Sequence, residues 1–463
     1  MARPEVTVLV GLDVGTTGSK AVVFTADGRP LSQGRSDTPW QTTAHGAEMS
    51  PAAVLESART ALAAALAEAP GGPVVAVGVT SMGESGVLVD RRGDPLGPVI
   101  AWHDIRDRTE VADLAATVGA DRFARHTGLP LRGQWSLTKH RWLLTHHPEL
   151  RGAVRRFNVA EWVVRGLGGA ESAEQSLASR TGWLGLSSRA WWPEALDWSG
   201  AAASLMPGLV TAGTPLGRVD AAAGPARLAG AVLTVAGHDH QAAAIGAGAA
   251  GAGDVLDSCG TAEALIRTAE AGLDGAAVVQ LAGGGITTGW HVLADRWCLL
   301  GGTQGGLALQ RILALLGRTS RDLPALDREA IARLSRDRPA ADRRAGPAVT
   351  VSGVDDEALT VSGIGSGVSP ADLWRAALEA VTAQAAVVHS AMSAVAGEHR
   401  RLVVTGGWAR SEALLAVKRR MLGPLSNPGI EEAGARGAAL LAGMAAGLYA
   451  GPAEFPAPDE GRR

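Results

Sequence analysis

The feature that most constrains the fold of this chain is a strand–turn–strand pattern that occurs once in each half. An apolar run over 6–11 leads into Asp13-Val-Gly-Thr-Thr-Gly-Ser-Lys20, and a second strand is predicted over 21–24. In the second half, the segment 254–266 is again strand, Gly-Thr turn, strand. The two copies lie too far apart to form a short-period repeat. They indicate an internal duplication of one α/β module.

The two turns combine glycine with hydroxyl side chains, which suits phosphate binding. Backbone N–H groups and hydroxyls can surround an anion, and a nearby cation completes its neutralisation. We predict that Lys20 neutralises charge and that Asp13 holds Mg²⁺ through water. The residues predicted to contact phosphates are Gly15, Thr16, Thr17, Gly260 and Thr261. The alternative is a plain hairpin, although a hairpin has no need of an acid, two threonines and a lysine together when the chain has only three lysines.

Composition excludes several classes of protein. The length of 463 residues suits two large domains, and 46% hydrophobic with 19% charged residues is ordinary for a soluble globular protein. A net charge of -3 argues against a nucleic-acid partner. The two cysteines form neither a disulfide framework nor a zinc motif. Without a signal peptide or a long unbroken apolar segment, we expect a cytoplasmic protein with no membrane partner.

A lone acid stands near the middle of the chain. Asp239 is flanked by His238 and His240, and small residues on both sides allow the backbone to approach a ligand. Such a carboxylate can act as a general base. An acid before an alanine-rich run is also typical of a helix cap. These residues alone leave both interpretations open, and one carboxylate could serve in both ways.

A second group of polar residues lies in the first half. Glu84 is predicted at the edge of a strand, and Trp102, Asp104 and Arg106 follow another apolar segment. A polyol pocket needs carboxylates that bind hydroxyls and one apolar wall, which these four residues could supply. The alternative is that Asp104 and Arg106 cap and pair at the start of a helix.

The nucleotide side is predicted from glycine-rich turns in the second half. Gly406 and Gly407 follow a strand over 401–405 and precede a helix, so a flat ring could lie against backbone there. A tight strand–helix turn would also use a glycine pair. Gly302 and Ser411 complete the predicted nucleotide contacts. A G-x-G-x-x-G match at 246–251 is set aside, because a helix is predicted before it and a strand after it.

Several helices are predicted from periodicity and caps. One covers 51–69, and another begins at Ser369 as cap with Pro370 in its first turn. The last helix is predicted to begin with two acids, Glu431 and Glu432, in its first turn. The charged stretch 318–347 is predicted to be a solvated helical excursion.

Taken together, these segments resemble the FGGY carbohydrate kinases, within the actin-like ATPase superfamily. The resemblance covers nearly the whole chain and is specific through the order and spacing of its segments. The matching segments are 11–20 and 258–261 for phosphate, 100–106 for the sugar, 139–142 in the first signature, 363–364 with 372–379 for the second signature, 237–241 as the catalytic segment and 406–411 for adenosine.

The resemblance implies an α/β protein with two duplicated ribonuclease-H-like domains around a central cleft. It places the sugar side and the first phosphate segment in 1–244 and the nucleotide side in 245–463. It also implies that Asp239 takes the proton of a sugar or polyol hydroxyl as that oxygen attacks the γ-phosphate of Mg-ATP. His240 would then lie beside the substrate. The oligomeric state is left open, with a homodimer as one expectation.

Some positions depart from the family pattern. Gln134 and His140 replace the usual residue types near the first signature, and Ser411 stands where Asn is common. Glu84 matches a glycerol-binding Glu of glycerol kinases, but Gly83 replaces the Arg before it, and the Met-His pair of xylulokinases is absent. His240 replaces the Gln that follows the base in glycerol kinases. We therefore expect an acceptor other than plain glycerol or standard xylulose. The competing hypothesis is an ATPase or nucleotide-binding regulator of the same superfamily without a sugar substrate.

Overall fold

A computed structural model describes residues 7–334 and 349–458. The strands are β1 Val8–Val14, β2 Gly18–Thr25, β3 Pro30–Asp37, β4 Gln41–Thr43, β5 Gly46–Met49, β6 Val74–Ser81, β7 Gly86–Val89, β8 Pro95–Leu96, β9 Val99–Ile100, β10 Arg155–Asn158, β11 Ala173–Glu174, β12 Leu209–Val210, β13 Val232–His238, β14 Asp254–Cys259, β15 Glu263–Glu270, β16 Thr287–Trp290, β17 Arg296–Thr303, β18 Thr350–Ser352, β19 Thr360–Ser362 and β20 Arg401–Thr405. The α-helices are α1 Pro51–Glu68, α2 Arg108–Thr117, α3 Ala120–Thr127, α4 Ser136–His146, α5 Val159–Gly166, α6 Gln175–Ala178, α7 Pro193–Ser199, α8 Asp239–Gly246, α9 Gly275–Gly283, α10 Gly305–Leu315, α11 Leu323–Leu334, α12 Pro370–Ala396, α13 Glu412–Leu422 and α14 Ala433–Ala445. Among these helices, none is long and apolar enough to cross a membrane.

The described residues form two compact units that do not follow chain order. The first unit contains 7–250, 269–298 and 432–458, and the second contains 251–268, 299–334 and 349–431. The chain thus returns to the first unit through α14. The boundary predicted between residues 244 and 245 stays a prediction, because compactness groups residues by packing and not by role.

The first unit is built on a five-stranded sheet in the order β13-β6-β1-β2-β3. β1 runs antiparallel to β2 and parallel to β6. Alternate apolar side chains of β1, such as Val10 and Leu12, enter a core with α1 and α5. On the other face α14 approaches so closely that a Cβ on Gly11 would collide with the backbone oxygen of Ala435. This packing fixes the end of β1, where the candidate site begins.

The second unit repeats this arrangement. β14 runs antiparallel to β15 and parallel to β20, and β17 lies beyond β15. Helices α10, α12 and α13 cover one face around a core that contains Trp374 and Leu378. The strand order β20-β14-β15-β17 therefore matches β6-β1-β2-β3 of the first unit. The predicted duplication is present in the topology.

The helix caps are partly as predicted. Ser369 is the cap of α12 as predicted, in a capping box with Asp372, and the hydroxyl of Ser50, for which no cap was predicted, accepts from Ala53 N at the start of α1. The prediction for the last helix was wrong. α14 begins only at Ala433 and has no acid in its first turn; Glu432 stands at the cap position, and its side chain pairs with Lys20 and Arg35.

The charged excursion is only partly described. Residues 323–334 form α11, whereas residues 335–348 of the predicted excursion lie outside the described residues. Cys259 and Cys298 are both buried as free thiols.

Candidate active site

Asp239 lies at the junction of the last strand of the first sheet and a short helix. β13 pairs in parallel with β6 and ends at His238, and α8 begins at Asp239. The cap position belongs to His238, so Asp239 is not the cap, and it stands one residue further into the helix. Its Oδ1 accepts from His240 N at 2.6 Å, and within the described part of the chain Oδ2 has no hydrogen-bond partner. The side chain is 25% exposed, so Oδ2 is available to a ligand.

Burial raises the pKa of Asp239 to about 7. The hydrogen bond from His240 N lowers this pKa, the charge of Glu84 raises it, and the charge of Arg180 lowers it. A helix N-terminus also favours a carboxylate, but desolvation prevails here. A carboxyl that titrates near neutrality is well matched to proton transfer.

A second acid, Asp13, is the last residue but one of β1 and lies close enough to Asp239 for the charge of that residue to act on it. Its Oδ1 is buried and has no hydrogen-bond partner in the structure as described. Burial, together with the charge of Asp239, raises the pKa of Asp13 to about 7, although Lys20 lowers it. The other oxygen faces the backbone of α14, where a Cβ on Gly434 would lie 2.6 Å from Asp13 Oδ2. An oxygen without a donor, beside a second acid, is suited to a hard divalent cation such as Mg²⁺.

The turn after Asp13 is short and open. Gly15 N donates to Gly18 O at 3.0 Å, and Trp40 Nε1 holds the carbonyl of Thr16 at 2.6 Å. The backbone N–H groups of Thr16 and Thr17 donate no hydrogen bond to the residues that the structure describes. Thr17 is exposed, and Lys20 Nζ lies 3.3 Å from Glu432 Oε2. Two adjacent free N–H groups form the kind of concavity that receives a phosphate.

Glu84 is held in a strained position between β6 and β7. Its φ is 64°, a left-handed conformation that is uncommon outside glycine. Oε1 accepts from Arg180 Nε at 2.7 Å and from Gln134 Nε2 at 3.1 Å, whereas Oε2 accepts no hydrogen bond from the described residues. The strain and the free oxygen together suggest a binding role. Sequence reasoning missed Arg180, which lies 96 residues from Glu84 along the chain.

The other predicted sugar-side residues fall into two groups. Trp102 Nε1 donates to Thr16 Oγ1 at 2.9 Å, so this indole is joined to the phosphate turn. Asp104 and Arg106 instead form a buried pair, with Arg106 Nη2 2.9 Å from Asp104 Oδ2 and Arg106 Nη1 2.8 Å from Glu48 Oε2. Although burial opposes it, hydrogen bonds from Arg106 hold the pKa of Asp104 below its usual range. The pairing interpretation thus describes their protein contacts, and contact with a substrate stays a prediction.

The two histidines beside Asp239 are neutral near pH 7. Burial and the charge of Arg180 lower the pKa of His240 to about 4 and that of His238 well below its ordinary value. A Cβ on Gly83 would lie 2.9 Å from His238 Cδ2. The imidazole of His238 therefore fills the space that a side chain at position 83 would need.

In the second unit, the predicted nucleotide residues lie at the ends of β14, β17 and β20. Thr261 is exposed, and its N–H donates no hydrogen bond among the described residues. Gly302 and Gly407 are also exposed. Gly406 has φ 92°, and a Cβ there would lie 2.5 Å from Cys259 O, so this glycine is required by a close approach of two strands.

Ser411 has a structural role within the second unit. It is fully buried, its Oγ accepts from Leu414 N at 3.1 Å as the cap of α13, and it donates to Asp327 Oδ1 at 3.0 Å. The helix begins at Glu412 after one 3₁₀ turn over 407–410. Contact between Ser411 and a nucleotide stays a prediction.

Sequence reasoning also missed an ionic cluster beneath the second Gly-Thr turn. Lys418 is fully buried, with Nζ 2.5 Å from Asp257 Oδ2 and paired with Glu263 Oε1. Thr303 Oγ1 donates to the other oxygen of Glu263 at 2.8 Å. The rarity of lysine in the chain was the available signal. Its partners lie 161 and 155 residues away, however, and no local pattern links them.

Comparison with known proteins identifies the family. The N-terminal-domain profile of the FGGY family of carbohydrate kinases matches residues 8–246, and the C-terminal-domain profile matches 349–446. The glycerol kinase of Renibacterium salmoninarum is 29% identical, over 95% of this chain and 90% of its own length. The glycerol kinase of Aromatoleum aromaticum is 31% identical, over 96% and 92%.

Among solved structures, the xylulose kinase of Rhodospirillum rubrum superposes with a TM-score of 0.83, covering 97% of this chain and 92% of its own, at 23% identity. This likeness confirms the predicted duplicated α/β fold. Profile matches over well over half of the chain, together with relatives at about 30% identity, show that the chain belongs to the FGGY family of carbohydrate kinases.

Proposed function

We propose that this protein transfers the γ-phosphate of Mg-ATP to a hydroxyl of a small sugar or polyol, with Asp239 as the general base. The observation that carries this proposal is the accessible Oδ2 of Asp239, on a carboxyl whose pKa burial raises to about 7. Because Oδ1 is engaged by the N–H of His240, a proton from an acceptor hydroxyl would go to Oδ2.

The neighbouring residues supply the other parts of a phosphoryl-transfer site. The free N–H groups of Thr16 and Thr17 would receive phosphate oxygens. Asp13, with its unpartnered oxygen, is the residue that would hold Mg²⁺. When bound, the ion supplies positive charge that offsets the phosphates. Glu84 Oε2 is available to accept a hydrogen bond from a second hydroxyl of the acceptor.

The test is an ATP-consumption screen over glycerol, tetritols, pentitols, hexitols, ketoses and aldonates. The wild-type chain should use at least one of these acceptors. Asp239→Asn keeps the shape of the side chain but removes its basicity, so we expect a loss of at least about a hundredfold in kcat. Asp121→Asn, which alters an exposed acid on α3, is the matched control and should keep the wild-type rate.

The pH dependence adds a second check. The base must be ionised to act, and burial raises its pKa, so kcat/KM should fall about tenfold per pH unit below about pH 7. Asp239→Asn should lose this dependence. Full activity in Asp239→Asn would contradict the proposal. ATP hydrolysis that no sugar or polyol changes would favour the competing hypothesis of an ATPase without a sugar substrate.

A further inference from the structure

One ring nitrogen of His238 lies close to the proposed base. Its Nδ1 lies 3.2 Å from Asp239 Oδ1, and its side chain is 4% exposed. This nitrogen is buried and has no aligned hydrogen-bond partner within the described residues. The same Oδ1 already accepts from His240 N. A buried polar nitrogen without a partner is costly, and the nearby carboxylate oxygen is the acceptor that could satisfy it.

The ring is held in place from several sides. The backbone N–H of His238 donates to Ser176 Oγ at 3.0 Å, and that hydroxyl donates to Glu174 Oε2 at 2.5 Å. The ring edge lies against Gly83, and the imidazole of His240 is 5.5 Å away between ring centroids. The 3.2 Å separation is short enough for a hydrogen bond once the ring or the carboxylate rotates into line, and catalytic hydrogen bonds often tighten in this way when a substrate is bound.

The tautomer follows from this placement. A neutral imidazole has one N–H and one lone pair. If the lone pair were on Nδ1, two acceptor atoms would face each other at 3.2 Å and repel. With the proton on Nδ1, the imidazole donates to the carboxylate, and such charge-assisted hydrogen bonds are stronger than neutral ones.

We propose that His238 is a positioning residue: as the Nδ1–H tautomer it donates to Asp239 Oδ1 and leaves Oδ2 alone to receive the proton of the acceptor. The proposal rests on the proposed role of Asp239. Oδ1 would then be held by two donors, His240 N and His238 Nδ1, which fixes the plane of the carboxylate. Rotation of that plane would otherwise exchange the two oxygens at the acceptor.

The surrounding charges keep the imidazole neutral. Burial first, then the charges of Arg180 and His240, lower the pKa of His238. The acids that face the pair are Glu84, whose charge raises the pKa of Asp239, Asp13, whose own pKa the charge of Asp239 raises, and Glu174, which is held by Ser176. A single N–H is therefore available from His238 throughout the neutral pH range.

The tautomer can be observed without any acceptor. In the full chain labelled with ¹⁵N-histidine, the His238 signals are those absent from His238→Asn. We expect the Nδ1–H tautomer of a neutral ring from about pH 6 to pH 9. Asp239→Ala removes the acceptor of this proton, so the Nε2–H tautomer should become the major form. Nε2–H in the wild type, or the same tautomer in both proteins, would overturn the proposal.

The second measurement is the pH profile of kcat/KM with an acceptor from the screen. His238→Leu removes a donor that both stabilises the ionised base and fixes its plane, so the acidic limb should move up by about one pH unit and the rate should fall more at pH 6 than at pH 9. His238→Asn offers an N–H near the position of Nδ1 and should return the acidic limb to its wild-type pH. A purely structural role would lower the rate equally at every pH.

These measurements distinguish a failure of the proposed function from a failure of the proposed role of His238. If Asp239→Asn keeps the wild-type rate, the proposed function fails whatever the tautomer. Suppose instead that Asp239→Asn is inactive. If the acidic limb of the pH profile then does not move in His238→Leu, or if His238→Asn shifts it as much as His238→Leu does, only the role of His238 is refuted.

Discussion

The two Gly-Thr hairpins have the same topology but treat their acids in opposite ways. In the first, Asp13 lies two residues before Gly15 and pairs in the sheet with Thr80. In the second, the position two residues before Gly260 is Ser258, which pairs with Thr405. The acid of the second hairpin, Asp257, is one residue earlier. Because successive side chains of a strand point to opposite faces, this offset turns Asp257 into the core.

As a consequence, the acids of the two hairpins differ in how many of their oxygens have a partner within the protein. Asp257 and Glu263 are buried against Lys418, with further hydrogen bonds from Cys259 and Thr303. Burial raises the pKa of Glu263 to about 7, even though Lys418 lowers it. The second hairpin thus encloses a paired ionic cluster that no ligand needs to complete.

The first hairpin leaves its acid incomplete. Asp13 Oδ1 has no donor among the residues described, and the nearby cation, Lys20, is 38% exposed and paired with Glu432. The duplicated module therefore separates two roles. One copy stabilises its turn from within the core, and the other keeps an unsatisfied carboxylate where a cation and a reacting group would lie.

Replacing the buried lysine should have the largest effect on stability. Lys418→Met leaves Asp257 and Glu263 without their cation, and breaking a buried ion pair in this way costs roughly 3–5 kcal/mol. We expect the Tm to fall by about 10 °C. The loss should be smaller at pH 5 than at pH 8, because Glu263, whose pKa burial raises to about 7, can then be protonated. Thermal and urea denaturation measure both effects.

A compensated variant keeps this test decisive if Lys418→Met does not fold. Lys418→Met combined with Asp257→Asn and Glu263→Gln removes all three charges and should recover more than half of the lost stability, since neutral buried groups need no cation. A loss below about 1 kcal/mol in the single variant would show that the cluster is not a paired unit.

Those features of the two hairpins and their neighbouring helices that depend on local patterns could be predicted from the sequence. Apolar alternation and glycine turns predicted both hairpins, and the cap at Ser369 predicted the start of α12. These signals act within a few residues of one another. The direction of Asp257 was not predicted, because one residue of offset decides its face and the duplication was recognised only from the Gly-Thr pair.

Contacts between residues far apart in the sequence limit how much of the candidate site could be predicted. Arg180 engages Glu84 across 96 residues, and Lys418 reaches Asp257 across 161. Asp104 and Arg106 were predicted either to line a pocket or to pair, and only the fold showed that Arg106 also holds Glu48. Which acids are satisfied, and which remain open to a ligand, depends on tertiary packing and not on spacing.

Neutralising Asp13 should separate stability from function. Burial raises its pKa, so the folded chain holds a proton more tightly than the unfolded chain. The stability lost through Asp13 therefore grows as pH rises from about 4 to about 7 and is constant above that. Asp13→Asn should therefore raise the Tm by a few degrees at pH 8, corresponding to about 1–2 kcal/mol after allowance for screening, and by little at pH 4. The same variant should lose at least about tenfold in kcat. A lower Tm at pH 8 would mean that the carboxylate is satisfied.

Replacing the lysine of the first hairpin should have the smallest effect on stability. Lys20 is 38% exposed at its side chain, and its contact with Glu432 is a partly solvated pair, which is typically worth less than about 1 kcal/mol. Lys20→Met should therefore move the Tm by no more than about 2 °C, and added salt should shrink the difference further.

The same substitution should change Asp13 more than it changes folding stability. The charge of Lys20 lowers the pKa of Asp13, so this pKa should rise when Lys20 is replaced. The Tm gain of Asp13→Asn at pH 8 should accordingly grow when Lys20 is already Met. If Lys20→Met instead destabilises as much as Lys418→Met, the first hairpin also rests on an internal ion pair, and the difference between an acid satisfied in the core and an acid left open to a ligand does not hold.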